Sequence, residues 1–227
     1  MNYESIAEGI SLLQAMGILK DKKNKDSKFS SEFISISKEN DYPKAYDSAI
    51  RNLDYDILLT DDSFFQFEDR KERFEGKQIS ILRFAFFENP YDTQSYEDYL
   101  ADNDIDSNEA GDIFREEYEQ TMAEASLKLE FFPVRYDCSS STYRSGIHPY
   151  SHFHFGFRES ISIPLDKVIS PLAFIFFILK TRYYHRWKLE MEKGHTFSEK
   201  YRSEKKSLEK VGVSFFSDLD NLDLFLT

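Results

Sequence analysis

Cysteine is almost missing from this sequence. The single Cys138 has no partner for an intramolecular disulfide and cannot build a Cys-cluster zinc site. Glycine and proline are also scarce, and neither a Pro/Gly/Ser linker nor an internal repeat divides the 227 residues. Long apolar runs are absent: the longest, residues 171–179, falls far short of the roughly 20 residues that span a bilayer. No Walker-type phosphate loop, dinucleotide fingerprint or nucleophile elbow occurs. The opening Met1-Asn-Tyr-Glu-Ser leads into an amphipathic pattern rather than a secretory leader. These absences predict a reduced, cytoplasmic protein that does not engage a membrane.

Aromatic residues are what the chain has in excess. Its 22 Phe and 14 Tyr separate it from disordered sequences, and its length is enough to bury a sizeable core. The net charge of −12 argues, taken as an average, against a nucleic-acid partner. The average conceals an asymmetry. Residues 133–188 carry eight Lys/Arg against three acids, a +5 island that leaves −17 for the remainder. Four of the five histidines fall inside that island, and the acidic surplus lies chiefly in residues 41–130.

Ile6, Ile10, Leu13 and Met16 recur at helical spacing and predict a first helix over residues 3–19. Residues 20–28 are a charge run, read as a solvated loop. A short helix with proline in its first turn is expected over residues 43–53. Two β-type segments, 63–68 and 78–88, flank a charged stretch containing Gly76 and read as a hairpin. The second segment is apolar on both faces toward its end, as a mid-sheet strand would be. Two acidic helices follow, residues 95–102 and 107–126, the second started by Ser107 with Glu109 and Asp112. Strand character returns over 127–136, then a polar loop over 138–146, the histidine strand, and a short strand over 160–164. Ser170-Pro171 starts a helix running to about residue 190, apolar in its first half and cationic and aromatic in its second. Gly194 breaks it, a charged helix spans 198–210, and Phe215, Leu219, Leu222 and Phe225 approach helical spacing in the tail. The expected fold is α+β: a mainly antiparallel sheet of about five strands with helices packed on it and a helical C-terminal part. Residues 1–227 read as a single domain, with 191–227 as a charged helical appendage.

Chemistry concentrates in His148-Pro-Tyr-Ser-His152-Phe-His154-Phe-Gly156-Phe-Arg158. Alternation along a strand puts His152, His154, Gly156 and Arg158 on one face and Phe153, Phe155 and Phe157 on the other. Three readings of the histidine face stay open. In the first, His152 and His154 ligate a divalent transition metal, with His148 or Asp137 as third ligand. In the second, no metal is needed: His148, His152 and His154 act as general acids or bases, and Asp137 orients a ring. Arg135, Arg144 and Arg158, with Tyr150 nearby, would then hold a phosphate. In the third, the histidines simply pack and hydrogen-bond, and the basic island neutralises the acidic helices or holds an acidic partner. Lys180, Tyr184 and Lys188 share one helical stripe with Trp187 alongside, which suits anion contacts and base stacking as well as a protein interface.

Several segments also resemble a known family. Phe64-Phe-Gln-Phe, Leu82-Arg-Phe-Ala-Phe-Phe-Glu-Asn-Pro90 and Ser95-Tyr-Glu-Asp-Tyr-Leu100 are similar to the first half of the bacterial domain-of-unknown-function family numbered 2290. Arg135-Tyr-Asp137, the histidine block through Gly156 and Ser170-Pro-Leu-Ala-Phe-Ile-Phe-Phe-Ile178 resemble its second half. The resemblance implies an association with mobile elements and prokaryotic defence or toxin–antitoxin systems, and no catalytic residues come with it. The expectation is a component of such a system acting on RNA or a nucleotide, with another protein of the same system as partner. The alternatives are a non-catalytic subunit that docks a larger effector and a metal-dependent hydrolase.

Overall fold

Phe64-Phe-Gln-Phe and Phe84-Ala-Phe-Phe place large side chains on both faces of two adjacent strands, so both faces of the sheet must be covered there. The structure, a computed structural model, describes residues 3–23, 29–39, 41–74, 76–106, 112–157 and 161–223. Seven strands form one antiparallel meander in chain order: β1 (Leu19–Lys22), β2 (Ile57–Leu59), β3 (Phe64–Phe74), β4 (Lys77–Phe87), β5 (Val134–Cys138), β6 (Ser151–Phe155) and β7 (Ile161–Pro164). The described helices are α1 (Tyr3–Ala15), α2 (Ser31–Ile36), α3 (Tyr42–Arg51), α4 (Tyr96–Asp102), α5 (Arg115–Ala123), α6 (Pro171–Arg182), α7 (Tyr184–Lys193), α8 (His195–Ser207) and α9 (Asp218–Asp223). The class is therefore α+β. None of the described helices is long and apolar enough to cross a membrane.

One face of the sheet rests on α6. Ser170 caps this helix by accepting a hydrogen bond from the Ala173 amide at 3.0 Å, and Pro171 supplies the pre-set first turn. Its Phe174 meets the rings of Phe65, Phe67, Phe84 and Phe153 from three different strands at 6.0–6.3 Å. α1 crosses α6 at Gly9, where a Cβ would overlap the side chain of Ile175. Below α6, Phe176 and Trp187 pack against Phe197 and Tyr201 of α8. The opposite face is covered over β2–β4 by α2 and α3. Phe33, Tyr42 and Tyr46 there close on Phe64 and Phe87, which stack at 4.7 Å.

The tail returns to the sheet end that carries the histidines. Phe215 stacks on Tyr150 at 4.8 Å and meets Tyr143 edge-on. The Asp220 carboxylate accepts hydrogen bonds from the Ser217 amide and hydroxyl, both at 2.8 Å, and from the Tyr143 hydroxyl at 3.1 Å. Segment 213–223 thus braces the loop that presents His148.

Several expectations change. The sheet has seven strands rather than about five, because β1 and β2 are too short to show a period and gain definition only by pairing with each other across 35 residues of chain. Residues 20–22 are edge strand, not loop. The hairpin ladder runs through the charged stretch to Phe74↔Lys77, and Gly76 makes its turn at φ +77°. Cys138 is the buried last residue of β5 rather than the start of a polar loop. The long helix from Pro171 breaks at Tyr183, whose hydroxyl donates to Asp61 at 2.8 Å, and the break turns Trp187 into the core. Phe157 does not share a face with Phe153 and Phe155. Gly156, at φ +95°, ends the alternation and sends Phe157 against Tyr42 on the other side of the sheet. The predicted helix start at Ser107, the strand start at Ser160, and Phe225 lie outside the described residues.

Two stability outcomes follow from this packing. Phe174→Ala removes the ring shared by three strands and is expected to cost about 3–5 kcal/mol in urea unfolding. Hydrogen bonds hold the Asp220 carboxyl below its ordinary pKa although burial acts the other way. The bracing it provides is therefore complete above the unfolded-state value, about 4, and is lost as pH falls through the lower folded value. Protection of residues 143–150 against hydrogen exchange, relative to the intrinsic rate at each pH, should fall in acid, and Asp220→Ala should produce the same loss of protection at neutral pH.

Candidate histidine and arginine site

The register that buries the phenylalanines determines what stands on the other face. Phe84 pairs with Tyr136 and Tyr136 with Phe153, all toward α6. Their neighbours point away from α6 in two cross-sheet rows: Glu68, Arg83, Asp137 and His152 in one, and Gln66, Ala85, Arg135 and His154 in the next. α2 and α3 reach only Ala85 and the buried Gln66 at one end of these rows, and polar side chains occupy the remainder. The rows grade from buried to open. His152 is 1 % exposed, and the side chains of His154 and Asp137 are 14 % and 16 % exposed. The two arginines are nearly half exposed.

Asp137 is the hub. Arg83 Nε donates to its Oδ1 at 2.9 Å and Arg135 Nε to its Oδ2 at 2.8 Å, while His154 Nε2 lies 3.4 Å from Oδ2. Burial alone would raise the Asp137 pKa. The hydrogen bond from His154 and the charges of Arg135 and Arg83 outweigh it and hold the carboxyl far below its usual range. His152 and His154 approach through their Nε2 atoms at 2.8 Å. His152 is pushed down to about 4, first by burial and then by the neighbouring His154, with Asp137 and the Pro149 carbonyl opposing. It is a neutral ring at pH 7. His148 meets His152 edge-on with ring centres 4.8 Å apart. The Nδ1 atoms of His148 and His152 are buried and make no hydrogen bond of ordinary geometry.

Of the residues predicted from sequence, the fold assembles Asp137, Arg135, His152, His154 and His148. Arg144 holds the turn before His148 through backbone pairing, with an exposed side chain. Arg158 lies outside the described residues. Lys180 and Tyr184 belong to α6 and α7 on the far side of the sheet, so the sheet itself separates them from the histidines. Nor is their stripe intact: the helix breaks at Tyr183, Trp187 is buried and Lys180 lies over the Tyr201 ring at 5.8 Å. Arg83 is the residue that sequence reasoning missed. A charged side chain inside the apolar run Ile81-Leu-Arg-Phe-Ala-Phe-Phe was its available signal.

The fold and site together define an α+β protein that carries a histidine–carboxylate–arginine cluster on the open face of a seven-stranded meander. The chain belongs to the family described as uncharacterized conserved protein (DUF2290), which matches residues 12–216. No curated protein and no solved structure matches it.

Removing the hub should destabilise the row beyond loss of one bond, because Arg83 and Arg135 would be left facing each other. Asp137→Ala is expected to lower unfolding free energy by about 1–3 kcal/mol, moderated by the arginines' exposure. Adding Arg135→Ala to that variant should recover part of the loss in a double-mutant cycle.

Proposed function

We propose that this face binds a phosphate-bearing ligand, RNA or a nucleotide, and acts on it by proton transfer through the histidines. The observation that carries the reading is the pair of guanidiniums on Asp137. Both are anchored through Nε, and their terminal nitrogens make no hydrogen bond among the described residues. Two planar donor groups held side by side in this way suit the oxygens of a phosphate. The two guanidiniums outnumber Asp137, and Glu68, opposite Arg83 in the same row, offsets part of their charge. His154, at the edge of the cluster and in contact with both Asp137 and His152, is the acid or base nearest the ligand. His152, neutral and buried, accepts or relays a proton behind it. The prokaryotic defence or toxin-like setting enters this proposal from the family resemblance alone.

A second reading, a subunit that docks a larger effector, is favoured by the exposed apolar side chains Ile113, Leu127, Leu129 and Phe132 beside the acidic helices α4 and α5.

Titration of the full chain with inorganic phosphate, a mononucleotide and a short RNA tests the first reading. Arg83→Gln and Arg135→Gln should each weaken binding about 10-fold and together about 100-fold, the loss expected for charge-assisted hydrogen bonds. Absence of binding to all three in the wild type, or binding indifferent to both arginines, would overturn it.

A further inference from the structure

We propose that Nε2 of His152, Nε2 of His154 and a carboxylate oxygen of Asp137 form a divalent transition-metal site, whose charge the bound phosphate completes. The donor set is two imidazoles and one carboxylate, the chemistry that zinc, iron, manganese and nickel select. The three donor atoms all lie within 4.8 Å of one another. Bonds of about 2.0–2.2 Å to a common ion place ligand atoms about 3–3.5 Å apart. The observed 2.8 Å between the two nitrogens and 3.4 Å between His154 and Asp137 need adjustments of only a few tenths of an ångström, while the His152–Asp137 pair, within 4.8 Å, must close by up to about 1.5 Å.

Proton placement points the same way. Two imidazole Nε2 atoms at hydrogen-bonding distance need one proton between them. If His152 supplies it, the Nε2 lone pair of His154 faces the Asp137 carboxylate. If His154 supplies it, one proton must serve both the carboxylate and His152, and His152 carries its own proton on Nδ1, buried where no acceptor meets it in ordinary geometry. A metal-bound His152 keeps that Nδ1 proton as well, but a full coordinate bond at Nε2 then replaces a share in one hydrogen bond. Both nitrogens and the carboxylate oxygen present lone pairs to the ion, and no two of them are opposed. His148, edge-on to His152, is a positioning residue for that ring.

The arginines decide the affinity. Each oxygen of Asp137 accepts one guanidinium N–H and retains a second lone pair, so ligation does not require either ion pair to break. A doubly charged ion beside two guanidiniums nevertheless leaves an excess of positive charge. A phosphate held by the arginines removes that excess, so metal and phosphate should each strengthen the other's binding. The inference rests on the phosphate reading for this coupling and not for the ligand set, and it replaces proton transfer through His152 and His154, whose Nε2 atoms become ligands.

The test uses the full chain, stripped with a chelator and titrated with Co²⁺ in the presence and absence of inorganic phosphate, followed by the visible d–d bands. Uptake of a single equivalent is expected, with bands characteristic of nitrogen and oxygen ligation. Phosphate should tighten it about 10-fold. His154→Ala and the more conservative His154→Gln should both abolish the bands. A folded wild type that shows no d–d bands with or without phosphate overturns the metal site, whatever the variants do. If that same protein still binds phosphate through Arg83 and Arg135, the phosphate reading stands alone. If Co²⁺ binds but phosphate has no effect on it and is not itself bound, the metal site stands and the phosphate reading fails.

Discussion

The register joining β4, β5 and β6 is the constraint on which the rest depends. Phe84 stands opposite Tyr136 and Tyr136 opposite Phe153, and this row fills the space beneath α6. Because side chains alternate, Arg83, Asp137 and His152 must then stand together on the other face. A slip of one residue in any of the three strands would drive a charge into the phenylalanine core and turn a ring out to solvent. The hydrophobic driving force that selects the register thus also builds the polar cluster. No interaction within the cluster has to be strong enough to assemble it.

The cluster works against part of the folding free energy. Burying Asp137 and His152 disfavours their charged forms, and the ring responds differently from the carboxylate. His152 resolves the cost by giving up its proton, while Asp137 keeps its charge because two guanidiniums and His154 surround it. The arginines in turn reach toward solvent, so the row passes from a dry neutral base to a wet cationic rim over three strands. Such a gradient is what an anion-handling site requires: attraction at the mouth and an unprotonated ring within. The loop carrying His148 closes the dry end, and the tail through Phe215 and Asp220 holds that loop in place.

Much of the fold was legible where a pattern ran long enough. Phe153 and Phe155 alternating with His152 and His154 identified the β6 faces, and Ser170-Pro171 marked the start of α6 to the residue. The hairpin was evident from apolar segments either side of Gly76. Legibility failed where definition comes from a distant partner. Three residues of β2 and four of β1 have no period of their own. The end of the histidine strand at Gly156 reflects a positive φ that the neighbouring Phe155 and Phe157 did not reveal. Arg83 was hidden because an arginine in an apolar strand is ordinarily a sign of the strand's solvent side, and its partner lies 54 positions away.

By itself the sequence determined that this chain folds around aromatic residues into an α+β protein, and that its histidines share one strand face opposite phenylalanines. Those are local consequences of alternation and composition. Only the tertiary structure decided which side chains complete the site. Strand order brought Arg83 to Asp137, and burial beneath the His148 loop set the character of His152. The sheet itself, standing between the histidines and α6–α7, removed Lys180 and Tyr184 from consideration. Contacts across a sheet depend on register and on which face is covered, and neither quantity is encoded within any single segment.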